Sequence, residues 1–395
     1  MNPTRALLFS TVAMTLSFMI WSVFAPIAGQ IQELYNLSTL EKSVLIATPV
    51  LLGSIMRIPM GILTDRYGGK KVFTLTMLFL TVPTVAAGFA DSYIGLLICA
   101  LFIGMAGTTF AISIAFVSRW YPPERQGFIL GIAGLGNLGS AGANFLLPSV
   151  YSSLGISWVF FSLAIVIAIM ALAFRSFTQD PPEPAEPKTL KQSLSVTKHK
   201  STWFLSVYYF LTFGGFVTFS NYLPTLLKDL FRMNALEAGM GTAGFVLAAT
   251  LIRPAGGSLA DRFGSKRVLN VVFLGILAIA IVLSVTLESL PVFLALCVLL
   301  AFLLGLGNGA VFKMVPEVSS GNTGAVTGFV GAAGGIGGFF PPIVLGMVKD
   351  TTSHYNLAFA FMVIFALICL FLNFSGVKPK QPGVRKKLEY SAQSA

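Results

Sequence analysis

The chain has 395 residues, of which 55% are hydrophobic and only 10% charged, with a formal net charge of +11. Soluble domains carry roughly 25% charged residues, so this composition excludes an ordinary water-soluble globule. Two histidines and three cysteines offer no metal or redox spacing, and no nucleophile–base pairing stands out, which argues against an enzyme.

Twelve apolar stretches follow one another, each long enough to cross ~30 Å of hydrocarbon. They fall at 6–32, 41–63, 72–90, 93–118, 126–150, 155–177, 202–227, 237–260, 267–287, 290–316, 324–348 and 355–375. The first could be mistaken for a secretory signal. It runs past an ordinary apolar core into Glu33-Leu34-Tyr35 without a small-residue cleavage site, so it reads as a retained helix. Cys99, Cys297 and Cys369 lie inside apolar stretches and read as small core residues.

Segment two contains Arg57 and segment eight Arg253, each in otherwise apolar surroundings. Arg57, Gly61, Asp65, Arg66 and Lys70 have counterparts in Arg253, Gly257, Asp261, Arg262 and Lys266, all at the offset that separates 57 from 253. At ~1.5 Å of rise per residue, the eight residues between each arginine and its aspartate place the guanidinium ~12 Å into the membrane. A charge at that depth is costly and is kept for function. No Asp or Glu stands at the same depth in any segment. A guanidinium is a permanently charged planar fork of donors, suited to a small flat oxyanion.

Segment five holds Gly134, Gly136, Asn137 and Gly139, and segment eleven holds Gly334, Gly335 and Gly337. Glycine at this density weakens a helix, so something must offset it. Close helix packing is one reason; approach of backbone to a very small ligand is another. Between segments six and seven runs a proline- and lysine-rich stretch suited to an anionic leaflet. It divides the chain into a bundle at 1–177, a linker at 178–200, a second bundle at 201–377 and a basic tail at 378–395. With both ends cytoplasmic, 20 of the 26 Lys and Arg fall inside and 4 outside, Arg57 and Arg253 being the rest. The positive charge thus reports orientation in a bilayer, and no nucleic acid is needed to explain it.

The run Gly61-Ile-Leu-Thr-Asp65-Arg66-Tyr-Gly-Gly-Lys70-Lys71 and its echo Gly257-Ser-Leu-Ala-Asp261-Arg262-Phe-Gly-Ser-Lys266-Arg267 resemble the loop motif of the major facilitator superfamily. That architecture is a parallel repeat of two six-helix halves. The glycine-rich segments resemble the nitrate/nitrite porter family within it. So do Trp21-Ser-Val-Phe-Ala-Pro26, Gly107-Thr-Thr-Phe110, Thr212-Phe213-Gly214 and Gly307-Asn308-Gly309-Ala-Val-Phe312. The resemblance implies an all-α membrane protein of twelve transmembrane helices in two pseudo-symmetric six-helix bundles, monomeric, without cofactor or metal. It implies that Arg57 and Arg253 clamp the anion, that Asn137 hydrogen-bonds it, and that Phe110, Tyr209 and Phe213 line the site. It makes Asp65, Arg66, Arg119, Asp261 and Arg262 gating residues, with Arg119 the partner for Asp65 in a latch that holds one packing and breaks in another. A solvated charged turn is the plainer account of the same residues. Lys313 stands where a neutral polar residue is expected and is a candidate coupling group.

Two facing guanidiniums ~7 Å apart repel by roughly 2.4 kcal/mol at an effective dielectric of about 20, so an anion between them favours closure. Importing one anion against 100 mV costs about 2.3 kcal/mol, whereas swapping nitrate for nitrite moves no net charge. The expected function is nitrate/nitrite antiport in the bacterial cytoplasmic membrane. The rivals are a nitrate/proton symporter, an exchanger of another small monoanion and a non-transporting membrane sensor.

Overall fold

The computed structural model describes residues 2–121, 129–180, 195–285, 287–319 and 323–375. Among them every regular element is helical. Twelve helices are long and apolar enough to cross a membrane, one for each predicted segment, with ends that differ by a few residues. Spans 1 to 6 are Pro3–Tyr35, Thr39–Thr64, Gly69–Gly88, Tyr93–Ser118, Ile129–Leu154 and Ile156–Phe177; spans 7 to 12 are Lys200–Phe231, Ala235–Phe263, Ser265–Val285, Leu290–Val315, Val326–Thr352 and Asn356–Ser375. The chain is a multi-pass membrane protein. Its outward surface is rich in exposed Val, Leu, Ile and Phe, including Val82, Phe89, Val285 and Phe371. Hydrocarbon tolerates such a surface, and the helices satisfy their own backbone groups as a bilayer requires.

Local signals repeat between the halves. Span 2 begins with a capping box in which Ser38 and Glu41 satisfy each other's backbone N–H, and span 8 begins with the same device built from Asn234 and Glu237. Both helices end on a glycine with positive φ, Gly68 at 87° and Gly264 at 84°, a conformation that a Cβ would penalise. Among the described residues four spans break at a turn, each a few residues before a proline. Pro59 and Pro254 lack the N–H that would reach Ile55 and Thr250, and spans 2 and 8 break at Met56 and Ile252. Arg57 and Arg253 are therefore the first residues of new helices in mid-span. Pro26 likewise follows the break in span 1, and Pro341 and Pro342 follow the break in span 11.

Span 7 packs on spans 8, 10 and 11, and span 1 on spans 4, 5 and 6. The two sets of six meet where span 2 crosses span 11, span 5 crosses span 8 and span 1 crosses span 7. At the end remote from the loop motifs, Lys42 Nζ lies 3.9 Å from Asp229 Oδ2, and Ser43 and Tyr222 share a hydrogen bond of 3.0 Å. Asp350 accepts from the backbone N–H of Leu40 at 3.1 Å, so that end is closed. Positions 181–194 of the linker and the whole of the tail at 378–395 lie outside the described residues.

Candidate functional site

Arg57 is completely buried and Arg253 is 5% exposed. Neither forms an ion pair with a carboxylate among the described residues. Arg57 Nε donates to the carbonyl of Gly107 in span 4 at 3.1 Å, and its Nη1 donates to the carbonyl of Gly331 in span 11 at 2.6 Å. Arg253 Nη2 donates to Tyr209 Oη at 2.9 Å. Each guanidinium keeps one buried nitrogen without a partner, Nη2 of Arg57 and Nη1 of Arg253. Neutral oxygens orient both groups but cancel neither charge. Two permanent cations in a closed space, each with a spare donor, favour an acceptor that is itself negative.

The walls are aromatic. Phe110, Phe213, Tyr209 and Phe312 form a closed box, with centroid distances of 5.9 Å from Phe110 to Phe213, 4.8 Å from Phe213 to Tyr209, 5.0 Å from Tyr209 to Phe312 and 5.6 Å from Phe312 to Phe110. Arg57 Cζ lies 5.2 Å from the Phe110 centroid and 5.1 Å from that of Phe213. Arg253 Cζ lies 5.6 Å from Phe110 and 5.9 Å from Phe213. Sharing Phe110, the two guanidiniums cannot be farther apart than the sum of 5.2 and 5.6 Å. Ring quadrupoles offset part of the cost of holding cations away from water.

Helix irregularity brings backbone close to the cations. Span 5 tightens into a 3₁₀ turn over Gly134–Asn137 and span 4 over Gly104–Thr108. Mid-helix 3₁₀ stretches mark hinges or functional strain. A Cβ on Gly134 would sit 3.5 Å from Arg253 Nη1, although the two residues belong to different halves. Residues three apart eclipse on a 3₁₀ helix, so Asn137 shares that face. Asn137 is buried with its Oδ1 unpaired. Reciprocally, a Cβ on Gly331 would sit 3.7 Å from Arg57 Cδ. The remaining signature glycines pack helices: Gly136 against Met14, Gly139 against the Thr15 carbonyl, Gly334 against the Tyr209 ring, Gly335 against Ser54 and Gly337 against the Phe210 backbone.

The loop residues lie apart from this chamber. Lys313 Nζ in span 10 pairs with Asp261 Oδ1 at the end of span 8 at 2.5 Å, and both side chains are partly exposed, at 35% and 53%. Arg66 lies over the Tyr67 ring and Arg262 over the Phe263 ring, both on the exposed surface. The Asp65 side chain lies outside the described residues. Arg119 caps the end of span 4, close to loop 2–3, where Gly69 packs on Phe116. Asp180, not singled out in the sequence, accepts from the Lys70 N–H at 2.9 Å and caps span 3.

The Major Facilitator Superfamily model matches residues 10–339 and, in a second placement, 205–393. The chain is 36% identical to the nitrite extrusion protein of Bacillus subtilis over 349 residues, covering 88% of each chain. It is 36% identical to the probable nitrate/nitrite transporter NarK2 of Mycobacterium tuberculosis over 371 residues, covering 92% of this chain and 93% of that one. This chain belongs to the nitrate/nitrite porter family of the major facilitator superfamily. Its fold is similar to that of the human organic anion transporter MFSD10, with a TM-score of 0.75 at 15% identity over 94% of this chain and all of that one. A bacterial homologue of the lysosomal transporter Spinster gives 0.72 at 19% identity, covering 94% of this chain and 96% of that one.

In this porter the geometry adds contacts that residue types did not announce. Phe312 closes the aromatic box, and Trp21 donates to the Pro49 carbonyl at 3.0 Å while its ring lies 5.9 Å from Arg57 Cζ. Both stand in runs that carry the family resemblance, which was the available signal. The carbonyls of Gly107 and Gly331 had none, because a backbone oxygen has no residue identity.

Proposed function

We propose that this porter carries nitrate and nitrite across the cytoplasmic membrane by alternating access, taking in one and releasing the other. The observation that carries the reading is the pair of buried guanidiniums, one from each half, that face one aromatic box with a spare donor each. A small planar monoanion satisfies both donors and cancels part of the repulsion that opposes closure. Asn137 adds an amide, and Phe110, Tyr209 and Phe213 limit the size of the guest. The relatives' names supply the anions: nitrite extrusion in one, nitrate and nitrite transport in another. Both termini are placed in the cytoplasm, in accord with the basic residues.

Exchange is favoured over proton symport because the chamber holds two fixed cations and no carboxylate among the described residues. The decisive measurement is counterflow in proteoliposomes. Nitrite inside is expected to drive nitrate uptake whatever the pH gradient, and liposomes without internal nitrite are expected to take up little. Nitrate uptake into nitrite-free liposomes, driven by an inward proton gradient, would establish symport instead.

Two variants refine this reading. Tyr209→Phe removes the hydroxyl that holds Arg253, and a hydrogen bond to a charged group is worth ~1.5–3 kcal/mol, so nitrate KM is expected to rise at least about tenfold. An unchanged KM would remove Tyr209 from the site. The Lys313–Asp261 pair is read as one strut of the loop latch, together with Arg262 and the matching Asp65, Arg66 and Arg119. Exposed pairs contribute ~0–1 kcal/mol, so Lys313→Gln is expected to leave thermal stability and nitrate KM near wild type while altering turnover. If it abolished a proton-driven component of uptake, Lys313 would be a coupling group.

A further inference from the structure

Asn308 lies in the middle of span 10 and is 2% exposed, yet its Oδ1 finds no hydrogen-bond partner among the described residues. Unpaired buried amides are rare and ask for an explanation. The glycines on either side fix the direction of this one. A Cβ on Gly309 would press on the backbone of Arg253 and Gly257 in span 8. A Cβ on Gly307 would meet Thr212 Cγ2 of span 7 at 2.6 Å. Successive residues turn by about 100° on a helix, so Asn308 bisects the directions of spans 7 and 8. Phe312 shares its face one turn on, and that ring lies 5.0 Å from the Tyr209 ring and 5.5 Å from Arg253 Cζ. Thr212, one turn beyond Tyr209 on span 7, is also buried with an unpaired Oγ1. Two uncommitted polar groups thus occupy the layer next to the Tyr209–Arg253 hydrogen bond, and no step of the clamp uses them.

Resting on the nitrate/nitrite reading, we infer that Asn308, supported by Thr212, is the contact that tells trigonal nitrate from bent nitrite. The spare nitrogens of Arg57 and Arg253 engage two oxygens, which either anion offers. Only nitrate has a third oxygen; with its amide turned so that Nδ2 takes the place of the unpaired Oδ1, Asn308 can donate to that oxygen, as can the Thr212 hydroxyl. A site built to hydrogen-bond a substrate group discriminates against an analogue that lacks it.

The experiment is nitrate and nitrite competition for counterflow by the full chain in proteoliposomes. Asn308→Ala is expected to weaken nitrate about tenfold or more and nitrite by less than about threefold, with maximal exchange retained. Asn308→Ser, which keeps a donor, is expected to recover part of the nitrate preference. Thr212→Val, nearly isosteric, is expected to shift the ratio in the same direction by a smaller factor, and it serves where Asn308→Ala fails to fold. An equal loss for both anions, or an unchanged ratio in the folded variants, overturns the assignment. Wild-type chain that exchanges neither anion would instead overturn the parent reading.

Discussion

Arg57→Lys is expected to abolish nitrate exchange although it keeps the charge. Three nitrogens of Arg57 have separate tasks: Nε holds the Gly107 carbonyl, Nη1 holds the Gly331 carbonyl, and Nη2 is free. Gly107 and Gly331 belong to spans 4 and 11, so the side chain also bridges the two halves. An ammonium is a compact point charge on a different stem and cannot reproduce the planar fork. Losing the charge-assisted bond from the free Nη2, at ~1.5–3 kcal/mol, by itself predicts a fall in affinity of about tenfold to a hundredfold, and losing the two bonds that hold the fork misplaces the charge as well. The burial that makes Arg57 costly also denies a misplaced ammonium any water to fall back on. The check is nitrate counterflow by reconstituted protein whose thermal stability matches the wild type. Uptake close to wild type would remove Arg57 from the clamp.

Gly335→Ala is expected to impair exchange while leaving the binding groups in place. In this closed arrangement a Cβ on Gly335 would overlap Ser54 Oγ and lie 2.8 Å from Ser54 Cβ. Ser54 has little freedom to yield: it is fully buried and its hydroxyl donates to the Val50 carbonyl at 2.5 Å. Overpacking of this kind costs ~1–3 kcal/mol. Because Gly335 and Ser54 sit in spans 11 and 2, the cost falls on the contact between halves. If closure over the anion passes through this packing, the closed population drops by about fivefold to a hundredfold, and turnover drops with it. Initial exchange rates and nitrate affinity measured on the same preparation decide the matter. An unaltered rate would show that this contact is not on the transport cycle, and a lost affinity with normal turnover would assign Gly335 to the site itself.

The loop between spans 2 and 3 illustrates how local signals and tertiary outcome diverge. Gly68 and Gly264 end their helices in the same positive-φ conformation, in keeping with their matched positions in the repeat. Of the charges around them, Arg66 and Arg262 behave alike, while the Asp65 side chain lies outside the described residues. Asp261 pairs with Lys313, while Arg66 and Arg262 rest on their neighbouring rings. The partner of Asp261 lies in another span, and the residue that matches Lys313 in the first half is Val117. No spacing rule could have joined them.

Sequence by itself determined the twelve spans, the internal repeat and the two arginines at matched depth. Each follows from short-range physics: apolar length against bilayer thickness, periodic caps and breaks, and the cost of a charge in hydrocarbon. Tertiary structure alone decided what surrounds those charges. The chain has 35 phenylalanines, and most fill space, so pattern alone could not select Phe312 as a wall. Neither could it separate Gly134, which faces a guanidinium, from Gly136 and Gly139, which pack on span 1. The reason is common to all these cases. Helical periodicity fixes which face a residue occupies, whereas its neighbours depend on how distant helices cross, and that is settled only when the two halves meet.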